Sequence, residues 1–239
     1  MADRTLALAL DTATRHPTLA LFDGAGMLGG VRQWASQHRH GEELLQRLDE
    51  LLGAANARPA DLEAVVVGLG PGSFTGLRIG LATAKTIAYS LNVPVVGVST
   101  TEALALAAPE GDGREVDYVV TLPAGAKDRY IHRVSIGSNG VLRSAEPQLV
   151  VPGPSFEEAC AGAVVVAIDL DGADDLGDEA IARGEIALRG LGFALATLGR
   201  KALNEGRRDD VERLVPAYVA LPRGIAKAAA EMTWSPDLR

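Results

Sequence analysis

Residues 68–80 read "GLGPGSFTGLRIG" and follow the apolar run "AVVV". A glycine-rich turn between a strand and a helix offers backbone N–H groups to a phosphate. The details depart from each familiar cradle. A Walker A loop needs Gly-Lys-Ser/Thr, and no such pair follows Gly70 and Gly72; Arg78 lies within the helical stretch. A dinucleotide fingerprint needs a third glycine where Thr75 stands, and an acid after the next strand, which ends in Ser99. A nucleophile elbow fails because Pro71 stands two before Ser73. Pro71–Gly72 also reads as a plain turn, with Ser73 as helix N-cap.

Other chemistry-bearing groups are sparse. His38 and His40 are two apart before a helix, whereas a helical metal pair wants three or four. They read as solvated or helix-entry residues. The acidic run "DLDGADDLGDE" (169–179) has its glycine at the fourth place, so it misses the calcium-loop order and reads as a solvated loop. No Ser/His/Asp set, Cys/His pair or CxxC is recoverable, and Cys160 is the only cysteine.

These residues need elements to hold them. Strands are expected at 5–13, 18–23, 27–36, 64–70 and 93–99, and helices at 40–57, 73–91 and 101–108. The polar stretch "APEGDGRE" (108–115) then marks a boundary. The pattern restarts with strands at 117–123, 129–136 and 141–151, a helix at 154–162, a strand at 163–170 and a helix at 183–203. Two βββαβα units in tandem predict an α/β fold. They resemble the actin/Hsp70-like (ASKHA) plan of duplicated ribonuclease-H-like units. The expected domains are 1–108 and 115–220, with a tail over 221–239. "LDTATRHPTLALFD" (10–23) stands where that superfamily has its first phosphate loop, D-x-G-x-T, with Ala13 in the glycine slot. An ordinary polar hairpin turn fits equally.

The 239 residues are 47% hydrophobic and only 4% aromatic, which suits helix-on-sheet packing of small side chains. A mean hydropathy of +0.12 argues against disorder. One cysteine forms no internal disulfide, so a reducing compartment is expected. No signal peptide is visible, and no apolar run reaches the roughly 20 residues that span a bilayer. The expectation is a cytoplasmic protein with no membrane contact. A net charge of −8 argues against this chain being a main RNA grip.

Gly72, Gly76, Gly80, Ala84 and Ala88 recur every four residues along the second helix. That is a ridge of small side chains against which something must pack. Its own sheet is one occupant and a partner's helix the other. On the partner reading, Gly76, Gly80 and Ala84 admit the partner backbone. Leu77, Leu81 and Ile87 flank them, and Leu44, Leu45, Leu48 and Leu51 of the preceding helix add a second row. The same face would serve a homodimer.

"GPGSFTGLRIG", with "LALDTA", "HGEELLQRLDELL" and "VPVVGVST", resembles the bacterial TsaB (YeaZ) family. The resemblance is strong over 5–105 and weak beyond 115. It implies a dimerisation subunit of the machinery that makes threonylcarbamoyladenosine at adenosine 37 of ANN-decoding tRNAs. The implied partners are a TsaD-type catalytic paralogue and a TsaE-type P-loop ATPase, with tRNA reached only through the complex. The paralogue carries a metal-binding V-N-H-x-E-x-H segment. Here the matching stretch is "VSTTEAL" (98–104), with Thr100 and Leu104 in the histidine places. No metal, no intrinsic cofactor and no catalysis are therefore expected. ATP or ADP is expected only at a shared subunit interface, touched by Asp11, Thr12, Gly70, Gly72 and Ser73. The alternatives are an independent actin-like ATPase or kinase and, as older names suggest, a peptidase M22-type (glycoprotease) metalloprotease.

Overall fold

The computed structural model describes residues 6–24, 26–36, 40–109, 114–125 and 128–219. The first unit begins with β1 (Leu6–Asp11), β2 (Thr18–Phe22) and β3 (Met27–Gln33), then α1 (His40–Ala54), β4 (Leu62–Gly68), α2 (Phe74–Leu91), β5 (Val95–Val98) and α3 (Thr100–Ala107). The second has β6 (Val116–Pro123), β7 (Arg129–Ile136), β8 (Leu142–Ser144), β9 (Gln148–Val150), α4 (Pro154–Cys160), β10 (Val164–Ala167) and α5 (Asp178–Asn204). The predicted βββαβα order opens the first unit, which adds β5 and α3, and recurs in the second with its third strand divided into β8 and β9. His38 and the 221–239 tail lie outside the described residues.

Sheet order in the first unit is β3-β2-β1-β4-β5. The hairpin strands β1, β2 and β3 run antiparallel, and β1, β4 and β5 parallel. The period-two alternation of "LALALD" sorts β1 onto two faces. Leu6, Leu8 and Leu10 join Leu44, Leu48, Leu51 and Leu52 of α1 and Leu81 and Ala84 of α2. Ala7 and Ala9 face the other way, into a core shared with α3, α5 and the second sheet. Those alanines leave room for α5, whose Gly192 and Gly199 stand directly against Val31 and Val66.

The second sheet runs β10-β6-β7-β8, with β9 also paired to β7. Tyr118, Val120, Leu122 and Val166 point into the shared core, while Val119 and Ile131 pack on Phe156 of α4. The layers are thus α1/α2, sheet, α3/α5, sheet, α4. The two units divide the sequence at 108–115, but α5 of the second packs on β1, β2 and β5 of the first. The two units share the core that lies between the two sheets.

Several element boundaries shift by a few residues, and three departures from expectation change the fold's description. The strand expected over 141–151 is two short ones, because Pro147 has no N–H to give the ladder. Helix α5 starts at Asp178, with Asp178 and Glu179 placing negative charge at its N-terminal dipole. Residues 207–218, to which no element was assigned, strap the free edge of β5. Asp209 N–H donates to Val95 O at 2.9 Å, Gly97 N–H to Asp209 Oδ2 at 2.7 Å, and Ala217 N–H to Leu69 O at 2.8 Å. Among the described residues no helix is long and apolar enough to cross a membrane.

Candidate functional site

The parallel strands β1 and β4 end side by side, and this brings Asp11, Thr12 and the 69–76 segment together. Asp11 is fully buried. Its Oδ2 accepts from Thr100 Oγ1 at 2.6 Å and its Oδ1 from Ala13 N–H at 2.7 Å. Thr100 Oγ1 in turn accepts from Gly70 N–H at 2.9 Å, while Thr100 N–H donates to Gly70 O at 3.0 Å. Gly68 is obligatory here, since a Cβ would enter the Asp11 carboxylate. Burial raises the Asp11 carboxyl to about 6, against the opposing pull of the Thr100 and Ala13 hydrogen bonds.

Thr12 Oγ1 donates to Gly76 O at 2.7 Å. Ser73 caps α2 as expected, accepting from Gly76 N–H at 3.2 Å, and its own N–H donates to Ala13 O at 2.7 Å. The five residues expected at a shared nucleotide contact therefore do meet. However, Asp11 and Thr12 are buried and hydrogen-bonded internally, which corrects their placement at a nucleotide surface. Only Gly72 and Ser73 of the five reach solvent.

The ridge on α2 faces its own sheet. A Cβ on Gly72 would strike the Ala13 carbonyl, one on Gly76 the Thr12 carbonyl, and one on Gly80 the Thr12 hydroxyl. Leu77, Leu81 and Ala84 are buried in the same way, as are Leu44, Leu48 and Leu51. The partner-interface assignment of Leu44, Leu48, Leu51, Gly76, Leu77, Gly80, Leu81 and Ala84 is corrected: close helix–sheet packing is the reason for the small side chains. The sequence left both occupants open, because a partner helix and an underlying strand demand the same small residues. Of the residues expected at an interface, Leu45 is 59% exposed and Ile87 partly exposed. Tyr89, on the outer side of α2, is 81% exposed.

The places expected to hold a metal in the paralogue do not fit one here. Thr100 Oγ1 is spent on Asp11 and Gly70, and Leu104 is 0% exposed within the shared core. Among the described residues no three His, Cys, Asp or Glu side chains group as a metal set.

Sequence reasoning missed the polar joint on the other side of α3. His132 of β7 accepts at Nδ1 from Thr101 Oγ1 (2.5 Å) and donates from Nε2 to Ala145 O (2.7 Å). Burial lowers its pKa, so the neutral tautomer is the form that suits both bonds. Ser144 Oγ donates to Glu102 at 2.6 Å beside it. A cleft of about 470 Å³ opens there, lined by Ser99, Glu102, His132, Ser144, Lys201 and Arg207. An inward histidine on an alternating strand was the available signal. The acidic 169–179 run is likewise more than a solvated loop, since Asp169 and Asp171 reach Arg15 of the first unit and Asp175 pairs with Arg129.

Residues 25–151, just over half the chain, match the family model for TsaD: tRNA N6-adenosine threonylcarbamoyltransferase. An uncharacterised protein of Mycobacterium tuberculosis is 34% identical over 163 residues, 65% of this chain and 71% of its own length. The tRNA threonylcarbamoyladenosine biosynthesis protein TsaB of Escherichia coli is 26% identical over 219 residues, 89% of this chain and 93% of that one. TsaB of Bacillus subtilis is 35% identical over 114 residues, about half of each chain. In fold, the chain superposes on YeaZ from Pseudomonas aeruginosa with a TM-score of 0.66, at 23% identity, over 90% of this chain and 99% of that one. A family model spanning half the chain, one named TsaB relative matched along nearly its whole length and others matched over about half of it lead to one assignment: the chain belongs to the TsaB (YeaZ) family.

Proposed function

We propose that this chain is a non-catalytic subunit of the assembly that makes threonylcarbamoyladenosine in tRNA, and that it docks on a TsaD-type catalytic paralogue. One observation carries the non-catalytic part: the polar groups at the β1–β4–α3 junction are used up in holding the fold. Asp11 and Thr100 bond to each other, Thr12 bonds to Gly76 of α2, and Leu104 packs in the core. A kinase or ATPase needs such groups open to substrate, and a metalloprotease needs ligands. ATP or ADP is then held only where Gly72 and Ser73 meet a partner, and the tRNA is gripped by the assembly, with a TsaE-type ATPase as a further member.

Reconstitution tests this. Threonylcarbamoyl transfer to unmodified tRNA should need this chain together with the TsaD-type and TsaE-type subunits, and the chain alone with ATP and magnesium should show no turnover. Turnover by the chain alone would favour the kinase reading. The corrected surface gives a second test. Leu45 and Tyr89 lie on the outer side of the α1/α2 layer. The double variant Leu45→Asp/Tyr89→Asp should keep the wild-type melting temperature within about 2 °C, as surface changes do. It should weaken binding to the TsaD-type subunit by roughly 30-fold or more in calorimetry, the scale of an aromatic hot spot. Wild-type affinity in the double variant would remove this face from the interface.

Metal content is a third check. With Thr100 and Leu104 placed as they are, the purified chain should carry no stoichiometric iron or zinc. Elemental analysis returning close to one tightly held metal per chain would contradict that.

A further inference from the structure

The β1–β2 turn and the loop after β10 belong to different units, and they meet through one carboxylate. The side chain of Asp169 is only 6% exposed. The Arg15 backbone N–H donates to its Oδ2 at 2.6 Å. Arg15 Nε stands 3.6 Å from Oδ1, and His16 Nδ1 stands 3.4 Å from the same oxygen. Both Oδ1 and Nδ1 are buried and have no hydrogen-bond partner among the described residues, so a proton on Nδ1 would serve the two atoms at once. Farther out, Asp171 takes Arg15 Nη2 at 2.9 Å.

The turn that presents these donors is itself fixed. His16 N–H donates to Thr14 Oγ1 at 3.1 Å, and Thr18 Oγ1 donates to His16 O at 3.0 Å. A main-chain amide, a guanidinium and an imidazole from two adjacent residues thus converge on one buried carboxylate. Convergent N–H donors of that kind, with positive charge behind them, recognise an oxyanion.

We propose that the β1–β2 turn is an oxyanion receptor which the chain keeps filled with its own Asp169 carboxylate, clasping the two units without an external ligand. The two unpartnered atoms, His16 Nδ1 and Asp169 Oδ1, mark the contact the receptor is shaped to make. The short Arg15 amide bond anchors the carboxylate in it. The clasp stands whatever the chain's role in tRNA modification, since it rests on contacts between the two units alone.

Removing the carboxylate should leave the receptor empty and able to take a small oxyanion. Asp169 has φ +56, a left-handed conformation that glycine adopts without strain, so Asp169→Gly deletes the carboxylate and spares the backbone. Its melting temperature should fall by about 3–6 °C, the range for losing a charge-assisted contact in a chain of this size. Sodium formate should restore most of that loss in the variant. In the wild type it should do no more than sodium chloride at equal ionic strength. Adding Arg15→Ala and His16→Ala to Asp169→Gly should abolish the formate effect. If formate acts alike on wild type and variant, or if Asp169→Gly melts with the wild type, the proposal is overturned. Should Asp169→Gly fail to fold, Asp169→Asn decides. Asparagine also accepts a left-handed φ and keeps an oxygen for the Arg15 amide, but drops the charge. Its melting temperature should fall by about 2 °C or more and resist formate, because the amide fills the receptor; an unchanged midpoint refutes the clasp.

Discussion

Gly76→Ala should cost about 3 kcal/mol or more of folding stability, the upper range for overpacking a well-filled core. On a free helix the same change would gain about 1 kcal/mol, because alanine is the better helix former. The sign reverses here for a structural reason. The new methyl would fall within 3.0 Å of the Thr12 carbonyl oxygen, a main-chain atom in the segment that ends β1. The helix has no freedom to back away. Thr12 Oγ1 holds Gly76 O, and Ala13 O holds the Ser73 amide, so α2 is pinned to β1 at both neighbouring points. Gly53, near the end of α1, is the matched control. It is exposed, and a methyl added there would meet nothing within 4 Å, so Gly53→Ala should gain about 0.5–1 kcal/mol. Denaturant unfolding of the pair checks both signs. A Gly76→Ala midpoint equal to wild type would mean that the ridge does not rest on β1. Ala84→Arg belongs with Gly76→Ala, since it would drive a guanidinium into the apolar layer between α2 and the sheet. A loss of partner binding measured with that variant would report unfolding and say nothing about a partner.

That contrast also locates where the sequence was readable. Runs such as "AVVV" and "VVTLP" show a strand through their β-branched residues, and the "GAG" and "GSNG" turns show where hairpins close. The twofold βββαβα order follows from those local signals alone, because each depends on a few adjacent residues. Ser73 as the α2 cap was readable for the same reason. What lay beyond reach depends on which distant segments meet. A stripe of small residues records that something approaches closely, and leaves open whether it is a strand of the same chain. Asp11 was singled out at a strand end, yet its burial depends on Thr100, 89 positions along the chain. The 169–179 acids look solvated until the β1–β2 turn of the first unit brings Arg15 beside them and β7 of the second sheet brings Arg129. His132 carried no motif at all, and its role arises only when Thr101 and Ala145 close on its two nitrogens.

Asp11 supplies the second large expected effect, in the pH dependence of stability. Its ordinary pKa is near 3.8, and in the fold burial raises it to about 6. The folded state therefore binds this proton more tightly than the unfolded chain does. Between those two values stability must fall as pH rises, because folding opposes an ionisation that the unfolded chain undergoes freely. The contribution is complete below pH 4, and is lost through the window up to about pH 6. At roughly 1.4 kcal/mol per pKa unit, the loss is about 3 kcal/mol. Asp11→Asn removes the titration. It also swaps an acceptor for a donor opposite Thr100 Oγ1, which adds a constant offset with no pH dependence. The slope is thus the readout and the offset is not. Plotted from pH 4 to 7.5, the melting temperature of wild type minus that of Asp11→Asn should decline by roughly 6–12 °C, most of it before pH 6.5. Other carboxylates and histidines titrate in both proteins and cancel in the difference. Parallel curves would show that Asp11 ionises in the fold as easily as in water, and the sealed junction between β1, the 69–76 segment and α3 would have to be open to solvent. A declining difference would show instead a carboxylate kept charged at neutral pH at the expense of stability, held by the Thr100 hydroxyl and the Ala13 amide. In that state the junction is weaker at neutral pH than in acid, and Thr100→Val, which removes the hydroxyl that favours the charged form, should steepen the decline further.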